Sequence, residues 1–365
     1  MRLWQPLVLS LFFATSAFAQ TPPAPQAGLN EEAVSGVMQR AVDEVIRPGY
    51  RNAQQSAARL TTAMKDLCED ATQQKLDKAR SALDDMIRYW SVIEIVQTGP
   101  VIQDNLFEHI LFYPDRKGVA LKQVQALIAK ADPKDTTVDA IAGKSVALQG
   151  LTALEYVLHG TGSEDLTTQK NSFRCLYGAA IAGNIQREAG EVVAAWEKPD
   201  GVQGSWKHPG PQSEDFMDNK EAITALLGIL VHGAETVRDQ RLEQFYKGKD
   251  ATPRPRMAIY WRSGNTWKSM TANVEGLRTL WQKAGMAELL PADQKPIADT
   301  IDANLKSLLE ALQKLNPDIE VATSDAERAK LDALLVSTRE LITKISDDYG
   351  AAIGLSAGFS FSDGD

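Results

Sequence analysis

The chain has 365 residues, of which 44% are hydrophobic and 24% charged, enough to bury a sizeable core and to fill two ordinary domains. Its 48 acidic side chains outnumber 39 basic ones, for a formal net charge of -9. With no local window dense in Lys and Arg, that balance excludes the basic face a nucleic-acid partner requires.

The first segment, "MRLWQPLVLSLFFATSAFAQ", starts with a basic residue at Arg2 and runs apolar from Leu7 to Phe13. It reaches the small-residue pattern Ala17-Phe18-Ala19 before Gln20. This is the pattern of an export signal, so residues 1–19 are expected to be removed before Gln20 and the mature chain to be periplasmic. The apolar run is too short to span a bilayer, and no later stretch approaches the roughly 20 apolar residues a membrane helix needs. No cysteine at the cleavage point marks the chain for lipid attachment. Residues 20–27 read as a disordered leader.

From residue 28 onward, apolar spacings of three and four recur and alternating strand patterns are scarce, which predicts an all-α fold. Helices are expected near 30–67, 81–97, 119–130, 144–159, 170–197, 217–247, 267–284, 292–314 and 324–348. In the second of these, Leu83, Met86, Ile87, Trp90, Ile93 and Val96 form an inward stripe that Gly99 and Pro100 stop. Amphipathic helices on short loops pack as bundles, and the length suits two. The segment 197–215, rich in Gly and Pro, places the division between a bundle of residues 28–205 and one of residues 206–365. Two cysteines, Cys68 and Cys175, permit one disulfide in an exported chain, the alternative being two separate buried thiols.

Candidate chemistry lies where polar residues share apolar faces. Glu155 and His159 follow the inward spacing of Leu148, Leu151, Thr152 and Leu158, and Glu94 lies on the Trp90 stripe. A bare carboxylate in such a setting is prohibitively costly, so each is expected to be buried and paired, hydrogen-bonded or metal-bound. Glu94 and Glu155 are expected to lie near one another or near a shared basic partner, for which Arg116 and Arg262 are the candidates. Inward carboxylates in a bundle core are also how metal sites are built, with His232 and Glu235, spaced i and i+3, a fallback pair. The bland alternatives are a satisfied structural Glu155 and, around Glu235, local pairing with Arg238, Asp239 and Arg241. Zinc, phosphate-loop and dinucleotide motifs are absent. The literal Gly-x-Ser-x-Gly at 354–358 falls after a helix in an all-α chain and is discarded as a nucleophile.

The stretches "VIRPGYRNAQQSAARL", "QTGPV", "FYPDRKG", "GLTALEYVLHG", "FRCLYGAAIAGNI", "AETVRDQRL" and "GFSFSDGD", in this order, make the chain similar to the imelysin-like family. That family comprises exported bacterial proteins linked to iron uptake and once classed as peptidases. The resemblance implies two packed helical bundles with a site between them around a Gly-x-His-x-x-Glu motif. Here the motif positions are Gly150, Thr152 and Glu155, so threonine stands where the pattern has histidine. A hydroxyl is a poor ligand beside imidazole, so iron or zinc binding is expected to be weakened. The function expected is ligand or metal uptake, at a site using Glu94, Glu155 and Thr152, with Asp115, Arg116, Arg238 and Arg262 orienting charge. Metal ligands would be Glu94, Glu155 and His159. Expected partners are a metal ion or small ligand and periplasmic or outer-membrane uptake proteins. A metal-dependent peptidase, resting on family history alone, and a non-catalytic scaffold are the alternatives.

Overall fold

A computed structural model describes residues 28–115 and 117–355; the signal segment, the leader, Arg116 and the closing "GFSFSDGD" lie outside the described residues. Among these residues the chain is helical throughout, with no strand. No helix among them is long and apolar enough to cross a membrane.

Helix α1 (Glu31–Arg40) runs through a wide π turn, Ala41–Ile46, into α2 (Arg47–Glu69). Pro48, in the first turn of α2, lacks the N–H an α-helix would use and would crowd the carbonyl four residues back, so the widened turn falls where proline needs it. Thr72 then caps α3 (Gln73–Ile93) by accepting the Lys75 N–H. Short helices follow: α4 (Leu106–Ile110), α5 (Val119–Lys130) and α6 (Val138–Ala142). Next come α7 (Gly150–His159) and α8 (Phe173–Trp196), the latter capped by Ser172.

The 197–215 segment is more than a connection. It contains α9 (Val202–Lys207), whose buried Trp206 packs edge-on between Trp196 and Phe216 at centroid separations of 5.6 and 5.1 Å. Helix α10 (Asn219–Glu235) begins at the Asp218 cap and widens into a second π turn, Thr236–Leu242. The remaining helices are α11 (Thr266–Lys283), α12 (Pro296–Gln313), α13 (Ile319–Ala322), α14 (Ala329–Thr343) and α15 (Gly350–Ala352).

Helix α2 packs between α3 and α8, and α7 lies on α8; α3 turns its other side to α11, which leads on to α12 and α14. The apolar stripes merge into one buried cluster running from Val34 to Leu355. Glycine makes the α3–α11 crossing close. A Cβ on Gly276 would sit 2.1 Å from the Val92 carbonyl oxygen, so no other residue lets α11 approach the end of α3 this nearly. Cys68, at the end of α2, and Cys175, in the first turn of α8, form a disulfide with a Cα separation of 5.5 Å.

Candidate functional site

Gly150 opens α7 in the left-handed region at φ 75°, and a Cβ there would meet the Ile110 carbonyl oxygen at 2.6 Å. Only glycine lets α7 start against α4 in this way. Two residues on, the Thr152 hydroxyl donates to the Phe112 carbonyl at 3.2 Å. Next on the same side is Glu155, 2% exposed. Its Oε1 accepts the Ser263 N–H at 2.9 Å and lies 3.0 Å from the Ser263 hydroxyl, which is also within 3.1 Å of the Tyr260 carbonyl. Burial pushes the Glu155 carboxyl above its ordinary range, opposed by the Ser263 N–H and the Arg262 charge.

Thr152 and Glu155 line a cavity of about 160 Å³. One wall is the stretch from Phe112 to Val124; the other is the loop from Arg256 to Arg262. Asp115 lines it too, but its carboxylate accepts the Val119 and Ala120 N–H groups at 2.8 and 3.0 Å and so holds the N-terminus of α5. The Arg262 guanidinium stacks 4.5 Å from the Trp261 ring centroid and 5.4 Å from that of Tyr156.

Glu94, 1% exposed, lies behind this cavity rather than on it. Its Oε1 accepts from Arg241 Nη2 at 2.9 Å and from Asn273 Nδ2 at 2.7 Å. Burial works against the Arg241 charge, but Glu94 outweighs it and raises the guanidinium above its ordinary value. Arg241 also lies 5.1 Å from the Tyr113 ring centroid. Burial pushes the Tyr113 phenol up to about 12, with Arg241 opposing. Tyr260 connects the two groups: it lines the cavity, and its buried hydroxyl feels the charges of Glu94, Arg241 and Glu155. That hydroxyl has no hydrogen-bond partner among the described residues. Tyr260 also adopts φ 55°, a left-handed conformation unusual for a bulky residue.

The cavity therefore gathers Thr152, Glu155, Asp115 and Arg262, while Glu94 forms a separate buried pair with Arg241. The expected sharing of one basic partner by the two carboxylates does not occur among the described residues. Arg116 lies outside those residues. Arg238 turns instead to Asp239 and Glu243, at 3.4 and 3.1 Å. His232 and Glu235 pair with one another at 3.0 Å beside a different groove, walled by Ile95 and Phe216. His159 does not line the cavity. Burial and the nearby Arg80 charge lower its imidazole to about 4.

A base held below its ordinary 6.5 is stabilised in its neutral form by the fold. Its contribution to stability is complete above about 6.5 and is lost as pH falls through that value toward about 4. Thermal unfolding across this window should therefore show a shallower acid limb for His159→Asn than for wild type. Parallel limbs would contradict the neutral buried imidazole.

Among the described residues, no group of three or more His, Cys, Asp and Glu side chains is placed to hold a metal ion. The donors around Glu155 do not fit an iron or zinc centre as they stand. Thr152 offers a hydroxyl engaged with Phe112, Asp115 is bound to α5, and Glu94 is committed to Arg241 and Asn273.

Sequence reasoning missed Arg241, Asn273, Tyr260 and Ser263. Arg241 was in reach, because Leu227, Leu230, Ala234, Val237 and Arg241 continue one inward stripe by steps of three and four. Asn273 similarly follows Met270 and precedes Leu277 on the buried side of α11. Tyr260 and Ser263 sit outside regular helix, where periodicity carries no signal.

Two solved structures share this architecture. An imelysin-like protein from Psychrobacter arcticum 273-4 superposes with a TM-score of 0.76 at 18% identity, covering 92% of this chain and 100% of that one. A "putative iron-regulated protein A precursor" from Parabacteroides distasonis ATCC 8503 gives 0.74 at 14% identity, covering 93% and 100%. No curated protein matches the chain significantly. The family model for imelysin (Peptidase_M75) matches residues 46–345, and the chain belongs to that family.

Proposed function

We propose that the protein is a periplasmic binding protein associated with iron or other ligand uptake, and that the cavity lined by Thr152 and Glu155 is its binding site. The observation that carries this reading is the convergence of a buried carboxylate, a hydroxyl and an arginine on one small cavity. The iron-related name of one structural relative agrees with it. On this reading the chain divides into bundles of residues 28–205 and 206–365. The lining from 112–124 and 147–156 then comes from one bundle and that from 256–262 from the other.

Without histidine at 152, the cavity presents one carboxylate to a metal, and the wild type should bind Fe(II) and Zn(II) weakly. Thr152→His adds an imidazole at i to the carboxylate at i+3 and is expected to tighten binding by about tenfold or more. Calorimetric titration of both forms, with Glu155→Ala as a control, is the test. Tight wild-type binding that survives Glu155→Ala would move the site elsewhere, with His232 and Glu235 the first place to examine.

A further inference from the structure

The cavity's unused hydrogen-bonding capacity is specific. Arg262 is held by the faces of Trp261 and Tyr156 and has no carboxylate within ion-pair distance among the described residues. An arginine positioned by aromatic faces keeps its planar N–H fork for a carboxylate, which it can bind bidentately. Arg256, the other arginine on the wall, is paired with Glu320 at 3.2 Å. Beside it, Ser263 serves Oε1 of Glu155 and the Arg262 backbone N–H also favours this carboxylate, which with about four acceptor positions has room for a further donor. Arg262 thus lacks an ion-paired anion, and the neighbouring Glu155 can accept one more hydrogen bond. The rest of the lining includes an apolar patch from Phe112, Leu121, Val124 and Met257.

We infer that the cavity binds a small aromatic hydroxy acid, with its carboxylate on Arg262, its ring against the apolar wall and its hydroxyl donating to Glu155. The inference rests on the reading of this cavity as the binding site and adds the class of ligand. A space of about 160 Å³ suits a single substituted ring and lies well below the roughly 300–1,000 Å³ of pockets for larger molecules. A multi-ring chelate does not fit within a space of that volume. An aliphatic polyacid would bring several charges to a wall offering one unpaired arginine, and would leave Phe112 and Leu121 without an apolar partner.

Calorimetric titration of the mature protein with salicylate, benzoate and citrate tests the assignment. Salicylate is expected to bind more tightly than benzoate, which lacks the hydroxyl, and citrate not to bind. Arg262→Gln should weaken salicylate binding by about ten- to a hundredfold, since it removes a charge-assisted bidentate contact. The half-buried Trp261→Ala, which frees Arg262 from its stack, should weaken it as well. Both replaced side chains are partly exposed, and circular dichroism of each variant checks that it is folded. Salicylate affinity unchanged in Arg262→Gln would overturn the inference. Arg262-dependent binding of citrate but not salicylate would overturn the aromatic class and leave the cavity reading standing. Binding of none of the three would also overturn the inference, and the Thr152→His metal titration then decides the cavity reading separately.

Discussion

Arg241→Met is expected to destabilise the protein by about 3–5 kcal/mol, because it leaves the Glu94 carboxylate buried without its cation. Both side chains are almost wholly enclosed, at 2% and 1% exposure, so water cannot replace the lost partner. Asn273 would remain as a donor to Glu94, but a neutral amide offsets only part of the desolvation of a full charge. The pair need not itself be a large net source of stability, because bringing two ions out of water consumes much of their attraction. The double replacement Glu94→Leu with Arg241→Met should therefore recover most of the loss. Urea unfolding of wild type, single and double variants measures the cycle. A single variant as stable as wild type would show that Glu94 is not held as a buried ion.

Loss of the Cys68–Cys175 disulfide is the second large effect. The bond spans 107 residues of sequence. In the chain-entropy view a cross-link of that span removes about 4–5 kcal/mol of freedom from the unfolded chain, and removal of a native disulfide commonly costs 2–5 kcal/mol. Reduction, or Cys68→Ala with Cys175→Ala, should lower the melting temperature by roughly 3–7 °C. The fold itself should persist, since α2 and α8 remain in contact along much of their length. Identical melting of oxidised and reduced protein would sink this expectation.

The helical class was legible because helix periodicity reports burial directly. The Leu83 to Ile93 stripe is buried as its spacing requires. Boundaries were less legible where backbone geometry, not hydrophobicity, sets them. The helix expected from 144 instead starts at Gly150, after an extended Gln149 and a separate 3-10 turn at Val146–Leu148. The apolar residues of that turn look helical in a sequence, but the left-handed Gly150 breaks the path.

The candidate centre shows the same split. Glu94 and Glu155 could be picked out as inward acids, because a charged residue in an apolar stripe stands out. Their partners could not be assigned from that pattern. Arg241, rather than the expected Arg116 or Arg262, reaches Glu94, from a stretch of helix that passes through a π turn. The groups serving Glu155 come from a loop 108 residues away, and only the tertiary fold brings them to it.

That separation makes the cavity a sensor of complete folding. A molecule held between Thr152 or Glu155 and Arg262 touches segments that lie together only once the whole chain has assembled. Any ligand confined to the native cavity therefore stabilises the entire cooperative unit, by about 2.7 kcal/mol at a hundred times its dissociation constant. A shift of the melting curve can accordingly identify ligands before any activity is known. A fragment carrying one wall alone has the carboxylate or the arginine, and retains half of a receptor.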